Sequence, residues 1–181
     1  MTTISIIGTA GRKEDGEKLS KSVYEKMYLA AKKIVHEFTD PQLVSGGAAW
    51  GDHLAVSLFL AKEVQKLTLH FPCEFNSRVS KFAEAGFRSS GGTANYYHRL
   101  FSQKMAGNDT ATLHGIQKAL LAGAESTICT GFLARNKLVA KSDVILAFTF
   151  GEGVVPKDGG TKHTWDHARK AKRIHVPIAF L

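Results

Sequence analysis

Short apolar runs that read as strands alternate along this chain with stretches that read as amphipathic helices, and that alternation limits the fold more than any other feature. Ile4-Ser5-Ile6-Ile7 is an apolar run ending in Gly8 and reads as a buried strand. From about Glu17 to Phe38 the residues Leu19, Val23, Met27, Ala30, Ile34 and Phe38 recur every three or four positions. That spacing predicts one helix with a single buried stripe. Leu43-Val44 predicts a second strand, followed by a helix that buries Leu54, Leu58, Ala61 and Val64. Leu67 to Phe71 predicts a third strand, closed by Pro72. Val144-Ile145-Leu146-Ala147-Phe148 is the strongest strand signal. A Gly-rich loop then leads to a helix from about His163 to Lys172. Ile174 to Phe180 closes the chain as a strand interrupted by Pro177, which suits a sheet edge.

Between these ends, Cys73 to about Asn95 reads as loop with short helical pieces. Helices are expected near Tyr96–Met105, Thr112–Ala122 and Phe132–Lys141. Strands alternating with helices predict a parallel sheet covered on both faces. The reading is one α/β domain over residues 1–181: a Rossmann-like three-layer sandwich with a mostly parallel sheet and an inserted loop and helical segment at about 75–131.

Composition narrows the function classes. The chain has 181 residues, of which 44% are hydrophobic and 22% charged, the balance of an ordinary globular domain. No apolar run approaches the roughly 20 residues that cross a bilayer, so no membrane partner is expected. The N-terminus lacks a signal-peptide pattern, and a cytoplasmic location is expected. Cys73 and Cys129 are too few for a disulfide framework or a cysteine-built zinc site. The net charge of +8 favours acidic partners, but the basic residues are spread along the chain and make nucleic acid the less favoured one.

Ligands of parallel α/β sheets collect outside the carboxyl ends of the strands, and three predicted strands run there into Gly-bearing loops. The first is Gly8-Thr9-Ala10-Gly11-Arg12, where free amides face an anion and Arg12 adds charge. The second is Ser45-Gly46-Gly47-Ala48-Ala49-Trp50-Gly51-Asp52. Here Asp52 either accepts hydrogen bonds from ribose hydroxyls or complements the helix dipole. Trp50 either stacks on a base or, the better reading, packs over the loop. The third runs from Phe150-Gly151-Glu152-Gly153 to Asp158-Gly159-Gly160-Thr161-Lys162-His163-Thr164. Thr161 there caps a helix or donates to a phosphate. Neither the P-loop nor the dinucleotide fingerprint is present. Arg135-Asn136 precedes the strongest strand; Arg135 is a phosphate clamp or, favoured by spacing, half of a surface ion pair. His163 and His167 sit at i, i+4 without a third ligand, so no metal site is assigned.

These pieces resemble the SLOG superfamily of Rossmann-like proteins, particularly its YpsA-related branch. The matching residues are Gly8-Thr9 with Arg12, Ser45-Gly46-Gly47-Ala48 with Gly51-Asp52, Arg135-Asn136, Lys141-Ser142-Asp143-Val144-Ile145-Leu146-Ala147-Phe148 and Gly160-Thr161. Roughly 75–131 is unmatched. The resemblance implies a nucleotide-type ligand held by the Gly-Gly loop and the Gly-Thr turn. LOG-type relatives cleave the N-glycosidic bond of a nucleoside monophosphate with an Arg and a Glu, the Glu three residues after the Thr of Gly-Thr. Thr164 stands at that position here, which shifts the expectation from catalysis toward binding. Glu152 or Asp166 would substitute only if the loop or helix brought it inward.

The expectation is therefore a binder of a nucleotide or nucleotide-derived molecule, acting as sensor, carrier or sequestering module. The ligand-binding set is Gly8, Thr9, Gly11, Arg12, Ser45, Gly46, Gly47, Asp52, Arg135, Asn136, Gly151, Gly159, Gly160, Thr161 and Thr164, with no cofactor. The alternative is a nucleotide N-glycosidase or ribosyl-transferring enzyme using Glu152, Asp52 and Arg135; single-stranded nucleic-acid binding is third. Ser90 to Arg99, with its Gly turn, aromatic and basic groups, reads as a lid or an oligomer contact, and a homo-oligomer is expected.

Overall fold

The computed structural model describes residues 1–86, 88–156 and 159–181. Six parallel strands form one sheet: β1 (Thr2–Gly8), β2 (Pro41–Ser45), β3 (Lys66–Phe71), β6 (Glu125–Ile128), β7 (Val144–Thr149) and β8 (Lys172–Pro177). Their spatial order is β6-β3-β2-β1-β7-β8. A two-stranded antiparallel hairpin, β4 (Phe75–Asn76) with β5 (Lys81–Phe82), lies apart from it. The helices are α1 (Glu14–Lys18), α2 (Lys21–Val35), α3 (His53–Leu60), α4 (Ser90–Ala106), α5 (Ala111–Leu121), α6 (Gly131–Val139) and α7 (Gly160–His167).

β7 shows why the sheet is covered on both faces. All six of its residues are buried, and alternate side chains of a strand point to opposite faces. Val144, Leu146 and Phe148 join the large core with Ile4, Ile6, Met27 and Leu54, on the side of α2 and α3. Ile145 and Ala147 join Ile7, Val139, Trp165 and Ala168, on the side of α6 and α7. A strand buried on both faces needs an unbroken apolar run, and that is the signal the sequence carried. The result is the expected Rossmann-like three-layer sandwich, with every pairing in the large sheet parallel.

Several elements differ from the sequence expectation, each for a local reason. The helix expected over Glu17–Phe38 is two, because Ser20 takes an extended conformation and its hydroxyl caps α2 by accepting from the Val23 amide. Ser89 likewise accepts from the Gly92 amide, so α4 starts at Ser90 and the expected Gly turn is helix. α7 begins at Gly160, where Gly159 with φ 91° ends the preceding loop. β8 occupies the sheet edge as expected but ends at Pro177. β6 was not anticipated. All four of its residues are exposed, so no apolar pattern marks it; its register with β3, Thr68 opposite Glu125 through Phe71 opposite Ile128, makes it a strand. The 75–131 segment thereby contributes a strand to the main sheet rather than standing outside it.

The chain passes from β1 outward through β2 and β3 to β6, then returns to the other side of β1 with β7. The loops leaving β1 and β7 consequently diverge, which opens a crevice at the carboxyl edge.

Candidate functional site

A cavity of about 550 Å³ lies at that crevice. It is large enough for a nucleotide-sized molecule. Its wall includes Gly8, Thr9, Arg12, Gly46, Gly47, Asp52, Arg135, Asn136, Gly159, Gly160, Thr161 and Thr164. The three Gly-bearing loops and the Arg135-Asn136 pair therefore meet in one place, although the chain separates the first from the last by about 150 residues.

Each loop is held by a specific contact. The Thr9 amide donates to Phe148 O (2.9 Å), and Gly51 donates to Thr9 O (3.1 Å), so the ends of β1 and β7 and the start of α3 are tied together. Ser45 is fully buried; its hydroxyl donates to Asp52 O (2.8 Å) and accepts from the Gly47 amide (3.1 Å). It shapes the second loop and is not part of the wall. Gly11, with φ 77°, packs on the Trp50 indole and also stays off the wall. Trp50 is 2% exposed and stacks on Phe101 (centroids 4.3 Å apart), so it packs over the loop as core.

Thr161 does not cap α7. Its hydroxyl donates to Gly8 O (2.8 Å) and stitches the start of α7 to the end of β1. The first amides of α7 have no partner within the helix and lie beside the wall residues Gly159 and Gly160. Thr164 donates to Gly160 O (3.1 Å). Asn136, nearly fully buried, reaches Gly160 O (3.4 Å) through its amide.

Arg135 is the central cation, and its pair is buried rather than on the surface. It is 8% exposed and Asp52 7%. Its Nη1 lies 3.3 Å from Asp52 Oδ2 and donates to Gly46 O (2.8 Å). A Cβ on Gly46 would fall 1.8 Å from that nitrogen, so only glycine lets the guanidinium cross the second loop. Arg135 Nε is buried and has no hydrogen-bond partner among the described residues. Burial pushes the Asp52 carboxyl above the usual carboxylate range, while Arg135 and the amides of Gly8, Ala48 and Gly46 pull it back. Asp52 opens α3 but makes no side-chain cap bond.

The two carboxylates considered as catalytic substitutes are not brought inward. Glu152 is exposed and, like Gly151, lies outside the wall. Asp166 is exposed and pairs with Lys162 (2.6 Å). Asp158 lies outside the described residues.

The wall also contains Lys13, Glu14, Asp15, Phe132 and Thr149, none of them among the expected ligand-binding residues, and Thr93 and Tyr97 from the segment expected as a lid or oligomer contact. Glu14 and Asp15 follow the first Gly loop after Lys13, and that acidic pair was the available signal. Thr93 and Tyr97 come from α4, which forms one side of the wall. Its His98 is fully buried and donates through Nε2 to Gly47 O (3.0 Å), with Nδ1 3.0 Å from Thr112 Oγ1. Burial pulls His98 down to about 3 and His53 down to about 4, so both rings are neutral. At the cavity mouth the Arg12 guanidinium lies 5.2 Å from the Tyr97 ring centre.

A protein of Acanthamoeba polyphaga mimivirus named "Uncharacterized protein R261" is 33% identical over 184 residues, spanning 97% of this chain and 96% of the viral protein. This chain belongs to the family of that viral protein. The similarity runs nearly end to end, so the shared unit includes the 75–131 segment that supplies Thr93 and Tyr97. No family model matches the chain, and no solved structure matches it.

Proposed function

We propose that this protein binds a nucleotide or nucleotide-derived small molecule in the cavity at the carboxyl edge of its sheet, as a SLOG-like domain. The observation that carries the reading is Arg135: buried, aimed across a glycine into the wall of a nucleotide-sized cavity, and holding an unpaired Nε donor. A buried donor left without a partner costs stability, and a ligand acceptor at that place recovers it. The helix α7 N-terminus suits a phosphate, and the Tyr97 and Arg12 pair at the mouth suits a planar base. Titration calorimetry and thermal shift against nucleoside mono-, di- and triphosphates, ADP-ribose derivatives and cyclic nucleotides test it. Saturable binding that Gly46→Ala abolishes is the expected result; no binding by any of them overturns the reading.

Cleavage of an N-glycosidic bond is the second reading. The carboxylates of Asp15, Asp52 and Glu14 in the wall favour it, since hydrolysis needs one to stabilise positive charge or activate water. Water would add at the anomeric carbon and the base would leave carrying a proton. Chromatography of nucleotides incubated with the protein decides it: released base that Asp52→Asn suppresses makes the protein an enzyme.

A further inference from the structure

Asp15 stands out among the charged groups of the cavity. It follows Arg12 and Lys13 in the chain, at the start of the short helix α1, and it lines the cavity with them. Its two oxygens have different fates. Oδ2 accepts from the Thr9 hydroxyl at 2.7 Å, and Thr9 in turn accepts from the Gly11 amide at 3.2 Å. That chain of bonds fixes the carboxylate relative to the end of β1. Oδ1 is buried and accepts no hydrogen bond among the described residues. A carboxylate oxygen is acceptor only, and one shielded from water without a donor is costly. The Arg135 Nε–H presents the opposite deficiency in the same wall: a buried donor with nothing to accept it.

We infer that Asp15 is the specificity-determining carboxylate of this site, accepting a hydrogen bond at Oδ1 from a sugar hydroxyl of the ligand. The inference rests on the nucleotide-binding reading above and sharpens its substrate class to molecules with an intact ribose. Two conflicts narrow the donor's chemistry. A phosphate is excluded at Oδ1, because it offers only acceptors and repels the carboxylate. An ammonium group is disfavoured, because Arg12, Lys13 and Arg135 share the wall and like charges repel. A neutral donor on an otherwise anionic molecule, a sugar hydroxyl or a base N–H, satisfies Asp15 without either conflict, and only the hydroxyl makes binding depend on the deoxy position. Such a molecule is anionic at one end, facing α7 and Arg135, and carries hydroxyl donors further along.

A site built to bond a hydroxyl discriminates strongly against the analogue that lacks it, because its own buried acceptor is then left unpaired. The test is calorimetry with the four nucleoside 5′-monophosphates and their 2′-deoxy and 3′-deoxy counterparts. The probes are titrated into the intact protein, Asp15→Asn and Asp15→Ala. Asp15→Asn keeps an oxygen for Thr9, and far-UV circular dichroism checks that each variant folds. The expected result is a preference for the ribo form over one deoxy form of at least about tenfold, falling to within about threefold in both variants. Affinity for the deoxy form should change little on substitution. Equal binding of ribo and deoxy forms by the unaltered protein overturns the inference and leaves the binding site standing. A preference that survives both substitutions overturns it as well. Failure of every probe to bind overturns the inference together with the reading beneath it.

Discussion

Gly8 and Gly51 meet backbone to backbone: a Cβ placed on Gly51 would lie 2.5 Å from Gly8 Cα, and one on Gly8 would lie 2.9 Å from Gly51 Cα. Neither neighbour is a side chain that can swing away. This contact brings the segment leading into α3 against the end of β1. Gly51→Ala is expected to destabilise the fold by about 1–3 kcal/mol, the range for overpacking a tight site. Gly153→Ala, whose Cβ would meet nothing closer than 4.0 Å, is expected to be near neutral. Urea denaturation of the two variants checks the contrast.

Removing one partner of the Arg135–Asp52 pair should cost far more than removing both. Arg135→Ala strands a buried carboxylate and is expected to cost about 3–5 kcal/mol at pH 7, with the Arg135→Ala/Asp52→Asn double variant recovering part of it. The pH dependence has a definite sign. Without Arg135, only the Gly8, Ala48 and Gly46 amides oppose burial at Asp52, and its folded pKa rises further above the unfolded value. Its contribution is then fullest below the unfolded pKa and is lost as pH rises through the folded one. The deficit of Arg135→Ala relative to the unaltered protein should therefore shrink between pH 7 and pH 4.5, as denaturation midpoints at the two pH values would show.

His53 and His98 should make the protein acid-sensitive. Their rings are 5.9 Å apart, beside Tyr24, Thr112 and Phe101, and all their recorded partners suit neutral imidazoles. Their folded values of about 4 and about 3 lie below the unfolded value of about 6.5. The unfolded chain binds the extra protons, so stability is full above about pH 6.5 and falls as pH drops toward the folded values. Each ring adds a slope of at most about 1.4 kcal/mol per pH unit. Replacing His98 by Gln should flatten the profile between pH 6.5 and pH 4; an unchanged slope would remove His98 from the account.

At the cavity mouth, Tyr97→Ala is expected to weaken nucleotide binding about tenfold, the loss of one stacking surface. Glu152→Gln and Asp166→Asn are expected to leave affinity within about twofold, because both carboxylates lie off the wall and exposed ion pairs contribute little. Calorimetry on the three variants separates wall from surroundings.

The sequence by itself determined the architecture where burial leaves a pattern. Val144–Phe148 is apolar throughout because both faces of β7 are covered, and Ile4–Ile7 ends in Gly8 because Phe148 and Gly51 press on it. The glycines of the three loops lie at the edge of the sheet where the cavity opens, although Gly11 and Gly151 stay off its wall. β6 left no trace because its four residues are exposed and only pairing with β3 defines them. Whether a polar group faces the cavity was equally hidden, since one-dimensional spacing carries no direction. Tertiary structure buried Arg135 against Asp52, spent the Thr161 hydroxyl on Gly8 O and left Glu152 outside. It also brought in Tyr97 from a segment read as a lid, and Asp15 from an acidic turn that resembles any solvated helix start. Burial and partner geometry decide what a charged side chain does, and both exist only once the chain has closed on itself.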